Sequence, residues 1–378
     1  MRNVRFVGLD VHAETIAVAV AVAEPRGEVR SLGVIPNRRE SVRRLIGKLG
    51  KPEQLRVCYE AGPTGYVLYW QLSELGVKCD VVAPTLVPVM AGDRVKTDRR
   101  DAEKLARCYR GGDLTAVWVP DAAHEALRDL VRARLAAKRD QLRARNRLGK
   151  FLLRQGRRAP EGTTAWTARY LLWVKQQRFE HPAQEATLLD YLHEVEHAAE
   201  RIVRLERAID TAVRSMPENL QAVIAGLQSL RGVAKVSAVT LVSELGQLSR
   251  FERPRQLMGY AGMVSREHSS GERVSRGAIS KAGNAHLRRI VTEAAWSYRH
   301  HPAVGSTLKA RQAGASEEVK AIAWRAQHRL HERYRALMGR GKVKQKVITA
   351  VGRELLGFIW AIGCEIERSQ SQQVRRAA

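Results

Sequence analysis

Residues 96–102 read KTDRRDA and place two carboxylates, Asp98 and Asp101, three positions apart among basic residues. The apolar spacing that follows predicts that a helix begins here, so both carboxylates lie on one helix face. Near a helix N-terminus they are also favoured by the helix dipole. A simple N-cap at Asp98 with a solvated face around it is the alternative interpretation. The sequence upstream is therefore needed to choose between a functional pair of carboxylates and a simple helix cap.

Short apolar runs upstream predict an α/β domain over roughly the first 120 residues. Three adjacent strands come first, and strands then alternate with helices, a pattern typical of a sheet covered by helices. The predicted strands cover residues 4–9, 15–23, 28–34, 55–59 and 78–82, with a last short one at 117–120. The predicted helices cover residues 39–49 and 66–75, followed by the helix that begins at the acidic pair.

Four carboxylates fall where this domain could bind a metal ion. Asp10 ends the first strand, Glu60 ends a later one, and Asp98 and Asp101 begin the helix. An RNase H-like fold collects its divalent metal in this way, and Mg²⁺ prefers such oxygen ligands. Metals held so can stabilise both oxygens of a phosphodiester displacement. Turn residues without a metal are the alternative, and His12 could either touch this site or be structural.

The charge of the chain favours a polyanionic partner. The 378 residues include 65 Lys and Arg against 39 Asp and Glu, which gives a net charge of +26. An excess of this size favours nucleic acid, although a basic protein that needs only solubility is an alternative. An anionic membrane surface is less well supported, because no basic amphipathic anchor stands out.

The cysteines and the apolar runs exclude several other classes of protein. The four cysteines are scattered without a CxxC pair, which argues against a zinc ribbon or a disulfide framework and fits a reducing cytosol. Charges interrupt the N-terminal residues, so a secretory signal is not expected. The sequence also lacks eighteen consecutive apolar residues, so we do not expect a spanning helix.

Residues 121–216 have a helical pattern rich in Arg, Glu and Ala. Leu188, Val195, Ile202 and Ile209 recur every seven residues, which predicts a coiled coil or a long helical hairpin. Ordinary bundle packing is the alternative.

Residues 230–245 could form a helix-hairpin-helix that offers backbone N–H groups to phosphates. Because Ala234 replaces the expected second glycine there, a plain helical hairpin is equally compatible.

A serine-rich stretch supplies a candidate nucleophile. Ser269 and Ser270 precede Gly271, and a serine that attacks phosphate needs cations around it and a group that accepts its proton. His268 is the adjacent candidate for the proton. The candidate cations are Arg266, Arg273, Arg276, Lys281 and Arg288. A flexible loop without catalytic residues is the alternative, since Ser-Ser-Gly is common turn chemistry.

Together these motifs resemble the DEDD transposases of bacterial insertion sequences, the IS-one-ten family, which also includes the pilin-gene invertase. The resemblance reaches to about His301. The matching residues are 8–12, 59–65, 96–102, 257–262, 268–271, 279–284 and 287–289. Residues past this point form a basic helical extension that does not align.

The resemblance implies a RuvC-like, RNase H-like α/β domain over residues 1–120. Its metal-binding DEDD tetrad maps onto Asp10, Glu60, Asp98 and Asp101. A helical or coiled-coil dimerisation segment at 121–216 and a mainly helical transposase domain at 217–301 follow, and 302–378 is the extension. The family's catalytic serine maps to Ser269 or Ser270 without choosing between them.

The resemblance also implies a Mg²⁺-dependent transposase that cleaves and rejoins DNA through a phosphoserine link. Its members act as dimers that pair into tetramers, with composite sites shared between subunits. Some are guided by a structured bridge RNA encoded by the element. We expect such a bacterial cytoplasmic enzyme here, with DNA and guide RNA bound by Arg99, Arg100 and the cations around the serines. A RuvC-like structure-selective endonuclease and a non-catalytic nucleic-acid-binding protein are the alternatives.

Overall fold

The computed structural model describes residues 4–24, 27–88, 97–267, 269–270 and 274–377, without the side chains of the last four. The chain divides into two compact units, Met1–Pro120 and Asp121–Ala378. The first is an α/β unit and the second is mostly helical. This division confirms the coarse part of the predicted fold class, an α/β part followed by a mostly helical part.

The first unit contains a five-stranded mixed sheet in the order β3-β2-β1-β4-β5. The strands β1 to β3 are antiparallel neighbours, whereas β4 and β5 run parallel to β1. The strands are β1 Arg5–Val11, β2 Thr15–Val22, β3 Val29–Pro36, β4 Leu55–Glu60 and β5 Lys78–Val82. The helices are α1 Arg39–Leu49, α2 Val67–Glu74 and α3 Asp98–Gly111. This topology is consistent with the RNase H-like fold.

Helices cover both faces of this sheet, as the alternating and continuous apolar runs require. The larger apolar layer joins the sheet to α1 and α2 through residues such as Leu9, Val42 and Leu72. On the other face, small side chains of β2 such as Ala17 and Ala19 meet Ala102 of α3. Helix α3 therefore lies close against the sheet.

The short strand predicted at residues 117–120 does not form. Ala116 makes a single bridge to Val82, and the Val117 N–H donates to the carbonyl of Val81. Pro120 then lacks the N–H group that a longer ladder would need. The segment therefore ends its pairing with β5 after one bridge.

The second unit begins with two long antiparallel helices, α4 Ala122–Arg154 and α6 Pro182–Arg214, with α5 Ala168–Lys175 between them. Ion pairs Arg134–Glu206, Arg201–Asp140 and Arg147–Glu194 join them, and the partner numbers fall as the α4 numbers rise. The four heptad residues of α6 are all buried. The long helical hairpin predicted from their spacing is present, whereas coiled-coil dimerisation stays a prediction.

The rest of the second unit forms around one large apolar core. Its elements are α7 Glu218–Leu227, α8 Lys235–Leu245, α9 Pro254–Tyr260, β6 Ser265–Glu267, β7 Arg276–Ile279, α10 Ala285–Ala295, α11 Ser306–Gln312, α12 Glu317–Gly339 and α13 Lys344–Ala377. The polar serine-rich stretch contributes the antiparallel hairpin β6–β7. Helices α7 and α8 follow each other through a short turn, and the helix-hairpin-helix proposed at residues 230–245 stays a prediction, as does its role in binding nucleic acid.

Helix α13 is a core helix, although its residues belong to the stretch expected as an extension. Val351, Leu355 and Ile359 are fully buried in the same core as α7, α8 and α10. Its stretch Lys344–Gln373 is long and apolar enough to cross a membrane, but half of the apolar window is buried inside the unit. This helix therefore does not indicate a membrane protein.

Candidate active site

The end of β1 and the start of α3 bring two carboxylates and an imidazole together. His12 Nε2 lies 3.3 Å from Asp10 Oδ2 and 3.6 Å from Asp98 Oδ1. One ligand atom from each of these three residues lies within 4.8 Å of the others. The sequence left the role of His12 open, and the structure places it between the two acidic residues.

Gly8 explains how α3 reaches this position. A Cβ at Gly8 would lie 2.4 Å from the carbonyl oxygen of Ala102 and 2.4 Å from the amide nitrogen of Ala106. The backbone of α3 therefore packs directly on β1 at a site that only glycine leaves open. Because side chains alternate along a strand, Asp10 points to the same face as Gly8. The first turn of α3 consequently lies above Asp10.

Thr97 fixes where α3 begins. Its hydroxyl oxygen accepts a hydrogen bond from the Arg100 N–H at 3.3 Å and so caps the helix. The interpretation of Asp98 as the N-cap is therefore wrong, because the capping residue precedes it. The Asp98 carboxylate, which is 61% exposed, is left facing His12 and the solvent.

Glu60 and Asp101 lie beside this group of three without belonging to it. Strand β4 runs parallel to β1 with Leu9 paired to Tyr59, so Glu60 ends its strand next to Asp10. Asp101 lies one helical turn along from Asp98, and its negative charge acts on Asp10. All four acidic residues predicted from the sequence therefore lie near the carboxyl ends of β1 and β4.

The electrostatics of this edge suit a cation. Burial raises the pKa of Asp10, the charge and hydrogen bond of His12 lower it, and Asp101 and Asp98 raise it again, so the net change is upward. Carboxylate oxygens suit Mg²⁺ or Mn²⁺, and an imidazole nitrogen accepts several transition metals. The carboxylates of Asp10 and Asp98, with His12 in contact with both, thus fit a divalent metal ion.

Exposed arginines flank the acidic edge. Arg99 is 73% exposed and donates from Nε to Glu103 Oε1 at 2.9 Å. Arg100 is also exposed, on the same first turn of α3. Both can reach a polyanion near the site, while Lys96 lies outside the described residues.

In the second unit, the serine-rich hairpin gives Ser269 a carboxylate partner. Ser269 Oγ donates to Glu267 Oε1 at 2.9 Å, and Arg276 Nε lies 3.3 Å from Glu267 Oε2. The hydrogen bonds from Ser269 and Arg276 and the arginine charge hold the pKa of Glu267 below its ordinary value. The sequence analysis named His268 as the proton acceptor and missed Glu267, although both residues lie within two positions of Ser269 in the sequence.

The other residues predicted around the serines have different surroundings. Ser270 and Lys281 are exposed, and Arg266 Nη2 donates to the carbonyl of Ser280 at 3.4 Å. Arg288 Nη1 donates to the carbonyl of Ala261 at 2.8 Å, so it supports the backbone before the hairpin. The predicted residues His268, Gly271 and Arg273 lie outside the described part of the chain.

A buried carboxylate holds the base of the hairpin. Glu244 is fully buried on α8. Its carboxylate accepts hydrogen bonds from Nε and Nη2 of Arg132, at 2.9 and 3.0 Å, and from the side-chain amide of Asn284 at 2.7 Å. Asn284 also caps α10 through the Leu287 N–H. Burial alone would raise the pKa of Glu244, but these hydrogen bonds and the charges of Arg132 and Arg128 lower it. A lone glutamate in an apolar helix was the available sequence signal.

Comparisons with known proteins agree with this geometry. Residues 7–155 match a family model described as a DEDD transposase, and residues 225–310 match the model of the transposase IS116/IS110/IS902 family. A putative transposase of Sinorhizobium fredii, y4qE, is 45% identical over 97% of this chain and 90% of its own length. The transposase for insertion sequence element IS1533 of Leptospira borgpetersenii is 33% identical over 90% of this chain and 99% of its own. A pilin gene-inverting protein of Moraxella lacunata is 24% identical over 78% of this chain and 74% of its own.

Proposed function

The chain belongs to the IS116/IS110/IS902 family of transposases and is a DNA transposase, and we propose that it cuts and rejoins DNA with a serine nucleophile assisted by a divalent metal. The observation that carries the proposal is the convergence of Asp10, His12 and Asp98 at the carboxyl edge of the sheet. An acidic group in a chain of net charge +26 is suited to a metal that acts on phosphate.

The four carboxylates would hold the metal, commonly Mg²⁺ in DEDD transposases: Asp10, Glu60, Asp98 and Asp101. His12 contacts both Asp10 and Asp98, so it positions the two carboxylates relative to each other. When bound, the metal supplies positive charge that stabilises the phosphate oxygens during strand transfer.

Ser269 is the better candidate of the two serines for the nucleophile. Its hydroxyl already donates to Glu267, so a carboxylate lies where the proton leaves as the Oγ–P bond forms. The bond from phosphorus to the departing strand-end oxygen breaks in the same step, and that oxygen takes up a proton. Attack by a strand-end hydroxyl on the phosphoserine reverses these changes, which rejoins DNA and releases Ser269.

Guidance by an element-encoded RNA and assembly into dimers and tetramers complete the proposal. The basic excess of the chain supports it, because a protein that holds a guide and a target binds several phosphate backbones. A composite site formed by the acidic unit of one subunit and the serine unit of another would bring the two halves of the chemistry together.

A RuvC-like endonuclease, which uses the carboxylates alone, is the second candidate function. The exposure of Asp98 and the position of the acidic group at the carboxyl ends of the strands are equally compatible with hydrolysis of the phosphodiester by water, for which these carboxylates would hold the metal. The two candidates differ in their product, because only the serine reaction leaves protein covalently joined to DNA.

The test is to trap that covalent product. The protein is incubated with labelled DNA carrying the element ends, Mg²⁺ and the co-expressed flanking RNA, and is then denatured and separated by electrophoresis. We expect a labelled protein band that Ser269→Ala abolishes and Ser270→Ala, the matched control, retains. Cleavage without such a band in the unaltered protein would instead establish the endonuclease.

A further inference from the structure

A groove of about 640 Å³ lies in the second unit between the β6–β7 hairpin and the beginning of α13. Arg276 and Lys281 line it from the hairpin side. Gln345, Lys346 and Arg353 line it from α13, and apolar residues such as Met263 complete it. The groove therefore lies between the segment that carries the candidate serines and α13, a helix from the last part of the chain.

The described charged side chains that line this groove are all positive. Its described lining contains four cations, Arg276, Lys281, Lys346 and Arg353, and no carboxylate. Arg276 is paired with Glu267. Among the described residues, the other three cations form no ion pair, so their charges are available to a ligand. A groove with cationic sides and apolar surface between them matches the sugar-phosphate backbone of a nucleic acid.

The cations on α13 are spaced along one helix face. Lys346 and Arg353 are seven residues apart, which is two helical turns, so they project in similar directions. At a rise of about 1.5 Å per residue they are separated by about 10 Å. Phosphates on one strand of a duplex advance by about 3.4 Å each. A separation of this size lets the two cations contact two different phosphates of one strand.

The opposite side of the groove is held in a fixed conformation. Lys281 has a φ of 58°, in the left-handed region that non-glycine residues seldom adopt. Its N–H donates to the carbonyl of Gly262, and a Cβ at Gly283 would lie 2.3 Å from the carbonyl oxygen of Tyr260. The hydrogen bond to Gly262 and the close packing at Gly283 lie on either side of Lys281 and support this conformation.

We propose that this groove binds the backbone of the DNA strand that the serine attacks, which makes α13 a DNA-binding helix as well as a core helix. This proposal rests on the proposed transposase mechanism. Arg276 supplies the connection, because it lines the groove and also contacts Glu267, the partner of Ser269. A strand lying in the groove would therefore pass the hairpin that carries the nucleophile.

The test measures binding without chemistry. The full-length protein carries Ser269→Ala, and EDTA removes metal. A labelled 30-base-pair DNA duplex of arbitrary sequence is titrated over a range of salt concentrations. Lys346→Ala with Arg353→Ala removes two phosphate contacts, so the slope of log affinity against log salt should fall by about 1.8 and the affinity by at least tenfold. Both residues are exposed, and thermal unfolding checks that the variant folds.

The matched control removes two equally exposed cations from α1 in the other unit, as Arg44→Ala with Lys48→Ala. We expect a smaller change in slope from this pair. Equal losses from both pairs would mean bulk charge attraction and would overturn the proposal. A loss of binding to a labelled RNA hairpin with DNA binding unchanged would also overturn it, and would assign the groove to RNA.

A second readout separates this proposal from the serine mechanism. With Ser269 intact and Mg²⁺ present, the Lys346 and Arg353 variant should give less covalent protein–DNA product at low DNA concentration and recover at high concentration. Persistent loss at saturating DNA would contradict a binding role. If the unaltered protein gives no covalent product, the serine mechanism fails while the salt slopes still report on the groove.

Discussion

Substituting Gly8 by alanine should push α3 away from β1 and so increase the distance between Asp98 and the residues at the end of β1. The added methyl group would meet two backbone atoms of α3, the oxygen of Ala102 and the nitrogen of Ala106, each at 2.4 Å. Neither atom can rotate away as a flexible side chain would. The contact is about 1 Å shorter than an ordinary van der Waals separation, so α3 must move outward by a comparable distance.

Two magnitudes follow from this displacement. Overpacking of a core commonly costs about 1–3 kcal/mol, and the free energy of unfolding should fall by that amount. Asp98 belongs to the first turn of α3, so its carboxylate would move away from Asp10 and His12. A shift of about 1 Å at a reacting centre can lower the rate by about 100-fold. Activity should therefore fall much further than the folded fraction does.

The assay compares Gly8→Ala with Gly47→Ala, which lies in the same unit. Gly47 is in α1, and a Cβ there would meet no atom within 4 Å. Alanine at that helix position should stabilise the protein by about 0.5–1 kcal/mol. Urea unfolding and strand cleavage are measured for both variants. Gly8→Ala with unchanged stability and full cleavage would refute the close packing of α3 on β1 and its role in placing Asp98.

The remaining predictions concern Asp98, Glu244 and the binding of RNA. Asp98→Asn should abolish strand cleavage and weaken Mn²⁺ binding measured by calorimetry, and full activity would contradict the metal site. Glu244→Gln should lower the free energy of unfolding by about 3–5 kcal/mol, since it removes the negative charge that faces the buried Arg128 and the partly exposed Arg132. The pKa of Glu244 is lower in the folded state than its ordinary value of 4.5. The stabilisation that Glu244 gives is therefore present above pH 4.5 and is lost as the pH falls through the folded-state pKa. Below about pH 4.5, the free energy of unfolding of the glutamine variant should depend less on pH than that of the unaltered protein. RNA binding by the unaltered protein should weaken steeply with salt, and a flat response would contradict phosphate contacts.

The first unit could be predicted well because its signals are local. Strand β5 was predicted with the bounds it has, and α1 likewise, from apolar runs and helical spacing. Asp10 and Glu60 could be placed together because carboxyl ends of parallel strands meet at one edge. The capping residue, Thr97, was missed by one position, since Thr and Asp are both good N-caps and only backbone geometry separates them.

The second unit was harder to predict because its decisive contacts join distant residues. Arg132 and Glu244 are 112 positions apart, and nothing in either local sequence indicates that they meet. The contact between Ser269 and Glu267 is local in sequence, but it depends on the hairpin, which the polar composition of that stretch did not predict. The position of α13 is a third case, since its apolar face indicates burial without indicating which helices cover it.

The chemistry proposed for this transposase is divided between two kinds of surface. The first unit gathers carboxylates at the end of β1 and the start of α3, and such a surface repels DNA until a cation covers it. The second unit gathers cations around a serine, and such a surface attracts DNA on its own. Of those cations, Arg276 is already partly neutralised by Glu267. A divalent metal would therefore be the largest positive charge at the scissile phosphate. In the proposed mechanism, the serine hydroxyl would therefore depend on a metal held by the carboxylates of an acidic unit, from its own chain or another copy, to stabilise the charge that develops as it attacks.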